Sequence, residues 1–483
     1  MIALGSTPST TSLSTKLLYG VGAVAYGIKT NGFSYLLLIY YNQVLGLPQS
    51  LVGTAIFIAL LVDALSDPII GSASDNLHSR WGRRHPFMYA SAVPVAILYY
   101  FLWSPPTGLT GEGLFLYFLV MSILVRTSIT FYEIPSSALV AEFTDDYHQR
   151  TLFLSLRHFF GWWGGLGLSV FTYMVLLVPT QQYPVGVLNR EGYQTYGLIA
   201  SVLMFSAILL SSAGTHHYIP QLRKPKRTGK SGPRIIARQT LETLRNRSFA
   251  AIFLSAMFSA LAAGVITSLS IYLNTFYWEL DNRQIALMTS TLFCAAALAL
   301  IIAPRISRRL GKRTAAISVG FLAAVLTPLP VILRSLGIFP DNGTSELFYS
   351  LMGFQFVDVT MIITSGILID SMITDIVEQS ELSTGRRSEG VFFAARSFIS
   401  KSISGVGVLI ATTLLSLVDF PKDAQPGLVE PQILLNLGLF YAPLVFLLYM
   451  AAITVIFIYR INQGIHEDNV KTLKQISQGA NSQ

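Results

Sequence analysis

The 483-residue chain has few charged residues: Asp, Glu, Lys and Arg together make up 12% of it, whereas 52% is hydrophobic and the mean hydropathy is +0.55. Soluble domains usually carry roughly twice that share of charged residues. A water-soluble protein of this size would lack the polar side chains to cover its surface. The shortage of charge excludes an ordinary soluble domain and predicts an integral membrane protein.

Cysteine is almost absent, because Cys294 stands alone in an apolar run and cannot form an internal disulfide. The sequence also lacks a phosphate-cradling glycine loop followed by lysine, so nothing supports ATP-driven pumping. His158 has no evident nucleophile partner. We therefore expect no enzyme and no cofactor other than a coupling ion. No secretory signal is apparent in Met1–Thr15, which we expect to be a cytoplasmic tail.

Apolar runs of spanning length recur along the whole chain. About twenty residues of helix cross the hydrocarbon core, so we predict an all-α membrane protein with about twelve transmembrane helices. The predicted spans are Lys16–Leu45, Ser50–Ser74, Pro86–Trp103, Gly113–Ala141, Thr151–Leu177, Tyr196–Ala213, Ser248–Trp278, Ile285–Ala303, Ala315–Leu336, Leu347–Ile376, Val391–Leu417 and Gln432–Tyr459.

Basic residues are concentrated in every second gap between these spans. The positive-inside rule places such gaps, and both termini, in the cytoplasm. The formal charge of +8 is accounted for in this way, and we expect no nucleic-acid binding. The bundle, linker and tail boundaries that we predict are 1–220 for an N-terminal six-helix bundle, 221–247 for a basic cytoplasmic linker, 248–462 for a C-terminal six-helix bundle and 463–483 for a cytoplasmic tail.

Each half carries a basic loop after its second span, at 71–86 and at 303–314. Matching loops at matching positions favour a duplicated six-helix unit. Two unrelated basic loops are the alternative.

Span 2 carries two carboxylates, Asp63 and Asp67, with Ser66 beside them. Residues four apart share one helix face, and a charge at mid-bilayer costs roughly 2.5–3.5 kcal/mol, so the pair must line a cavity. Two neighbouring carboxylates either share a proton or bind a cation with oxygen ligands. A structural pair, neutralised by a basic residue of another helix, is the alternative.

Span 4 places Arg126, Thr130, Glu133 and Ser137 on one face, and Pro135 removes a backbone hydrogen bond, which predicts a bend near Glu133. This polar face predicts a cavity wall at which Glu133 contacts solute or ion. An Arg126–Glu133 pair that satisfies itself is the alternative.

Spans 1, 5 and 11 contribute the remaining candidates. Arg157 can pair with a carboxylate or bind a polar substrate, and Trp163 can stack on substrate or face lipid. Lys401 shares a face with Ser397 and lies deep enough to need an anionic partner, for which Asp63 and Asp67 are the natural candidates. A lysine that alternates between ion pair and release would be a coupling device. Lys29, in span 1, is basic and otherwise unassigned.

Four stretches resemble the glycoside–pentoside–hexuronide:cation symporter family of the major facilitator superfamily, which is typified by the melibiose carrier. They are KLLYGVGAVAYG (16–27), VDALSDPIIGSASDNLHSRWGRRHPF (62–87), YEIPSSALVAEFTDDYHQRT (132–151) and DIVEQSELSTGRRSEGVFF (375–393). The resemblance implies a major facilitator fold of two pseudo-symmetric six-helix bundles that work by alternating access.

The resemblance also implies roles for particular residues. The cation site would consist of Asp63, Ser66, Asp67 and Thr130. The substrate site would include Glu133 and Arg157, to which we add Lys29, Arg126, Trp163 and Ser397 from the spacing above, and Lys401 matches the helix 11 lysine. The cytoplasmic gating motif would consist of Gly71, Asp75, Arg80, Gly82, Arg83 and Arg84.

Ser66 stands where the melibiose carrier has Asn, and Glu133 where it has Asp. Two further departures matter more: Gly27 stands where it has a galactoside-binding aspartate, and Ser137 where it has a stacking tryptophan. The cation residues are therefore kept while the galactoside clamp is lost. A different glycoside, pentoside or hexuronide is implied, and the three basic residues Lys29, Arg126 and Arg157 favour an anionic solute such as a uronide. A related animal branch carries lysophospholipids, which makes an amphipathic lipid an alternative.

Together these observations predict a sodium- or proton-coupled symporter in the bacterial plasma membrane, monomeric, with a small solute, a coupling cation and the bilayer as its partners. The same residues would also suit an uncoupled facilitator, or a sensor that binds its solute without transporting it.

Overall fold

The computed structural model describes residues 12–143, 147–221, 247–384 and 389–459. Within these ranges every regular element is a helix, and ten helices are long and apolar enough to cross a membrane. The all-α, multi-pass prediction is confirmed. Most of the predicted linker, the predicted tail, and Arg386 and Arg387 of the gap between spans 10 and 11 lie outside the described residues.

In the first half, the described residues form eight α-helices. They are α1 (Leu13–Val21), α2 (Ala23–Asn31), α3 (Leu37–Ile39), α4 (Gln49–Asn76), α5 (His85–Trp103), α6 (Gly111–Phe143), α7 (Tyr147–Phe171) and α8 (Arg190–His216). Short 3₁₀ turns occupy Gly186–Leu188 and Ile219–Gln221.

Seven α-helices are formed by the described part of the second half. They are α9 (Arg247–Tyr272), α10 (Asn282–Leu310), α11 (Lys312–Leu326), α12 (Leu329–Ser335), α13 (Ser345–Thr384), α14 (Glu389–Leu417) and α15 (Pro431–Ile456).

The first predicted span is not one continuous α-helix. Gly32–Leu36 and Tyr40–Val44 are π-helical and flank the three-residue α3. A π-turn takes one extra residue and widens the helix locally, so the apolar run that the sequence shows as one span is divided. This segmented stretch and α14 occupy the two predicted span positions that are not among the ten long apolar helices.

The helices group into two units, Met1–Leu47 with Ile58–Thr228 and Pro48–Phe57 with Gly229–Gln483. In the first unit α2 packs against α7, and α5 against both α6 and α8. The second unit repeats these pairings in order, with α9 against α14 and α11 against both α13 and α15. The corresponding pairs give the two units the pseudo-symmetry that their matching loops predict.

The two basic loops also share a backbone feature. Gly82 in the first loop and Gly311 in the second have φ of +72° and +76°, which glycine adopts without the steric cost that a Cβ brings. Gly311 ends α10 so that α11 begins at Lys312.

Close packing of α2 on α7 depends on glycine at the crossing. A Cβ on Gly27 would meet the carbonyl of Gly161, and a Cβ on Gly165 would meet the carbonyl of Gly27. Small residues at such a crossing let two helix backbones approach closely. Gly167, two residues further along α7, faces open space.

Gly165→Ala and Gly167→Ala form a matched pair that tests this crossing. Alanine at 165 forces the helices apart, and overpacking of this kind costs about 1–3 kcal/mol. We expect Gly165→Ala to lower the apparent melting temperature in detergent. Gly167→Ala should leave it unchanged or raise it slightly, because alanine favours helix over glycine. Equal melting temperatures for the two variants would contradict the role given to the crossing.

Candidate functional site

A buried carboxylate links α4 to α6. Asp63 is 1% exposed, and its Oδ1 accepts a hydrogen bond from the Thr130 hydroxyl at 3.0 Å. Its Oδ2 lies 3.3 Å from Nη1 of Arg126, which is 6% exposed. The structure thus brings together Asp63 and Thr130, two of the four predicted cation ligands, and adds a basic residue that we predicted as a substrate contact.

The other two predicted cation ligands lie next to Asp63 along α4. The Ser66 hydroxyl donates to the backbone carbonyl of Asp63 at 2.9 Å, a local bond that leaves its oxygen lone pairs available. Asp67 is half-buried one turn further on. Carboxylates and hydroxyls together form an all-oxygen donor set, which hard cations prefer.

Arg126 pairs across helices rather than along its own helix. Its guanidinium lies 4.3 Å from the centre of the Phe33 ring as well as beside Asp63. A cation over an aromatic face gains electrostatic stabilisation. The Phe33 ring therefore stabilises the Arg126 guanidinium in addition to the Asp63 carboxylate. In the described residues, the ion-pair partner of Arg126 is therefore Asp63 rather than Glu133.

Arg157 of α7 binds the middle of α6. It donates to the Ser136 hydroxyl at 2.8 Å and to the backbone carbonyl of Glu133 at 3.3 Å. Glu133 Oε2 is buried and accepts no hydrogen bond from any described residue. A buried oxygen in this condition is costly, and a donor on a bound solute would satisfy it.

Two further predicted substrate residues have different surroundings. Lys29 is 2% exposed and its ammonium lies 5.0 Å from the centre of the Tyr26 ring. Trp163 is 52% exposed and stacks on Phe159 at 5.2 Å.

The residues predicted on α14 belong to the second unit. The side chain of Ser397 lies outside the described residues. Lys401 is half-buried, and its pairing with Asp63 or Asp67 stays a prediction.

Two acids of α13 had no role that the sequence could assign. Asp358 is buried and accepts a hydrogen bond from the Thr327 hydroxyl at 2.8 Å. Asp370 is half-buried further along the same helix.

The predicted gating motif forms a cluster of ion pairs. Asp75 lies 2.5 Å from Arg84 and 3.8 Å from Arg83. Both arginines also bind one oxygen of Glu142, at 2.6 Å for Arg83 and 3.0 Å for Arg84. We call these four residues the Glu142 cluster. Of the other motif members, Arg80 is exposed.

Glu142 was missed in the sequence, and so was its counterpart in the second unit. Lys312 of the second basic loop lies 2.6 Å from Asp375, which is 4% exposed near the end of α13. In each unit, therefore, a basic residue that follows the unit's second span forms an ion pair with a buried acidic residue near the end of the unit's fourth span. An acidic residue that directly follows a long apolar run was the available signal.

The family model described as MFS/sugar transport protein matches residues 18–463. Among curated proteins, the isoprimeverose transporter of Lactiplantibacillus pentosus is 24% identical and covers 83% of this chain and 80% of its own. An uncharacterised symporter of Synechocystis sp. is 24% identical over 94% of this chain and 95% of its own. The sodium-dependent lysophosphatidylcholine symporter 1 of Gallus gallus is 23% identical over 98% and 91%.

Among solved structures, the nucleoside transporter NupG (D323A mutant) superposes with a TM-score of 0.64 at 13% identity, covering 92% of this chain and 99% of its own. At that identity the likeness concerns the fold alone. The described helices of this chain therefore share the fold of that structure.

The Glu142 cluster predicts unequal effects of removing its two acids. Glu142→Gln removes the buried acid that both arginines share and leaves them only the half-exposed Asp75, and breaking a buried pair in this way costs about 3–5 kcal/mol. Asp75 has a half-exposed side chain, so Asp75→Asn should cost at most about 1 kcal/mol. Thermal unfolding in detergent measures both. An equal or larger loss for Asp75→Asn would contradict this order.

Proposed function

Since the chain belongs to the MFS/sugar transport protein family, we propose that it is a secondary active transporter that carries a sugar-like solute together with sodium or a proton. It works in a bacterial plasma membrane by alternating access. The observation that carries this proposal is the Asp63 carboxylate, buried in a membrane-spanning helix and in contact with Thr130 of a second one.

A carboxylate at this depth favours a mobile positive ion as its partner. Ionisable residues inside spans are costly and mark ion pathways and proton relays. Asp63, Ser66, Asp67 and Thr130 supply oxygen donors from α4 and α6, which suits sodium or a proton alike. Cation binding would favour the solute-loaded state, and by linkage the solute would raise cation affinity by the same factor.

The solute would bind where α6 meets α7. Glu133 offers a buried carboxylate oxygen with no donor among the described residues, and Arg157 is fixed beside it. Sugar hydroxyls are donors of the required kind, and the isoprimeverose transporter among the relatives supports a glycoside. The basic residues Lys29, Arg126 and Arg157 favour a hexuronide over a neutral sugar. Lys401 would respond to the charge at Asp63 and Asp67.

A lysophospholipid-like substrate is the second candidate. The Gallus gallus relative supports it, and so does the half-exposed stack of Phe159 and Trp163 on α7, which offers apolar area to an acyl chain. Glycosides, pentosides, hexuronides and lysophosphatidylcholine therefore belong in one transport panel.

Asp63→Asn should abolish uphill accumulation of the solute, because asparagine cannot carry the negative charge that a coupling cation neutralises. Uptake is measured in proteoliposomes under an imposed sodium or pH gradient, with the solute panel above. Asp281→Asn is the matched control: this side chain caps α10 outside the spans, asparagine caps equally well, and accumulation should be unchanged.

Unchanged ion-driven accumulation in Asp63→Asn would overturn the symport proposal. Purely downhill flux in the wild type, insensitive to either gradient, would identify a facilitator. Ion-driven uptake of lysophosphatidylcholine alone would select the second candidate.

A further inference from the structure

Asp63 is occupied by a residue of its own protein. The contact with Arg126 is a single one of 3.3 Å, between two side chains that are 1% and 6% exposed. The guanidinium lies against one oxygen of this carboxylate. A mobile cation bound to the same carboxylate would place a second positive charge beside it, and the low dielectric of the interior strengthens the repulsion between the two. The two occupants therefore exclude one another.

The Arg126 guanidinium is poorly satisfied in this position. Its Nε is buried and donates to no acceptor in the described part of the chain. A guanidinium has five N–H donors in a planar fork and pairs best when two of them bind one carboxylate. Here one contact and the Phe33 ring take their place. Such a pair can be displaced at moderate cost.

Thr130 is arranged to serve either occupant. Its hydroxyl lies 3.0 Å from Asp63 Oδ1 and 3.0 Å from the backbone carbonyl of Arg126, but it has one proton and donates to one acceptor at a time. When it donates to Asp63, its proton points at the place that a cation would take. When it donates to the carbonyl, its lone pairs are free to bind that cation.

We propose that Arg126 is a tethered competitor of the coupling cation: the guanidinium holds Asp63 while the cation is absent, and the arriving cation displaces it. The inference rests on the proposed function and deepens it, because it gives the cation a second task besides neutralising Asp63. Sodium, bound by the oxygens of Asp63 and Thr130, is the cation to which the inference commits.

The displaced guanidinium needs a new partner. Glu133 lies two turns further along α6 on the same face, and its buried Oε2 accepts no hydrogen bond from the described residues. If Arg126 moves from Asp63 toward Glu133 when the cation binds, cation binding changes the charge around Glu133, the residue that we assign to the solute. Cation binding and solute binding would then be linked through one side chain.

Sodium affinity of Arg126→Gln tests the competition directly. Full-length protein in nanodiscs is titrated with ²²Na⁺ without solute, at alkaline pH where protons compete least. Removing the competitor should tighten sodium binding at least about tenfold, which corresponds to 1.4 kcal/mol. Arg283→Gln removes the same charge from an exposed position at the start of α10 and should leave sodium affinity unchanged. Arg126→Lys keeps the charge and should stay close to the wild type.

The same displacement can be followed in the wild-type protein, where folding of a variant plays no part. Phenylglyoxal modifies accessible arginines, and peptide mass spectrometry locates the product. Sodium should raise modification of Arg126 several-fold, whereas choline at equal ionic strength should not.

Sodium affinity that is no tighter in Arg126→Gln, including no measurable sodium binding by any variant, overturns the inference, as does Arg126 labelling that sodium leaves unchanged. The proposed function is judged separately by ion-driven uptake in the wild type. Ion-driven uptake together with unchanged affinity removes the competitor alone, whereas absence of ion-driven uptake removes symport itself.

Discussion

The bilayer interior offers no water to a polar group, and this constraint organises every charged residue of the spans. An unsatisfied backbone group in hydrocarbon costs several kcal/mol, which is why every regular element of the described chain is a helix. The same rule explains the side chains: Asp63 lies against Arg126 and Thr130, and Arg157 against Ser136. Each polar contact within the spans is therefore an internal substitute for solvation. In a transporter, a solute or ion that enters can replace one of these internal contacts with a contact of its own.

Much of the fold could be predicted because spanning length and hydropathy are local properties. Ten predicted spans correspond to long apolar helices, and the matching basic loops correctly indicated two related units. The Asp63–Thr130 contact could also be predicted. Helical spacing put each residue on a polar face of its helix, and the family resemblance assigned both residues to one cation site. The irregular first span was not, because a π-turn depends on how the neighbouring helices pack and leaves the apolar run unbroken in the sequence.

The partners of charged residues were harder to predict than their positions. Arg83 and Glu142 are separated by 59 residues and meet only when the loop after α4 folds onto the end of α6. Likewise, the spacing on α6 suggested an Arg126–Glu133 pair, whereas the nearer carboxylate in space is Asp63 on another helix. Periodicity relates residues of one helix. It says nothing of the distance between helices, and at these sites that distance decides which charge is neutralised by which.

The glycine crossing of α2 and α7 also limits how this transporter can change. Because the backbones of Gly161 and Gly165 fill the space beside Gly27, no side chain fits at 27 until the two helices separate. Gly27→Asp alone would therefore give a poorly packed protein, and a galactoside-binding carboxylate at 27 would need further changes that separate the two helices. If the solute binds where α6 meets α7, as we propose, contacts with a new solute would arise more readily at the half-exposed and polar positions of these two helices, where a single replacement leaves the helix spacing intact.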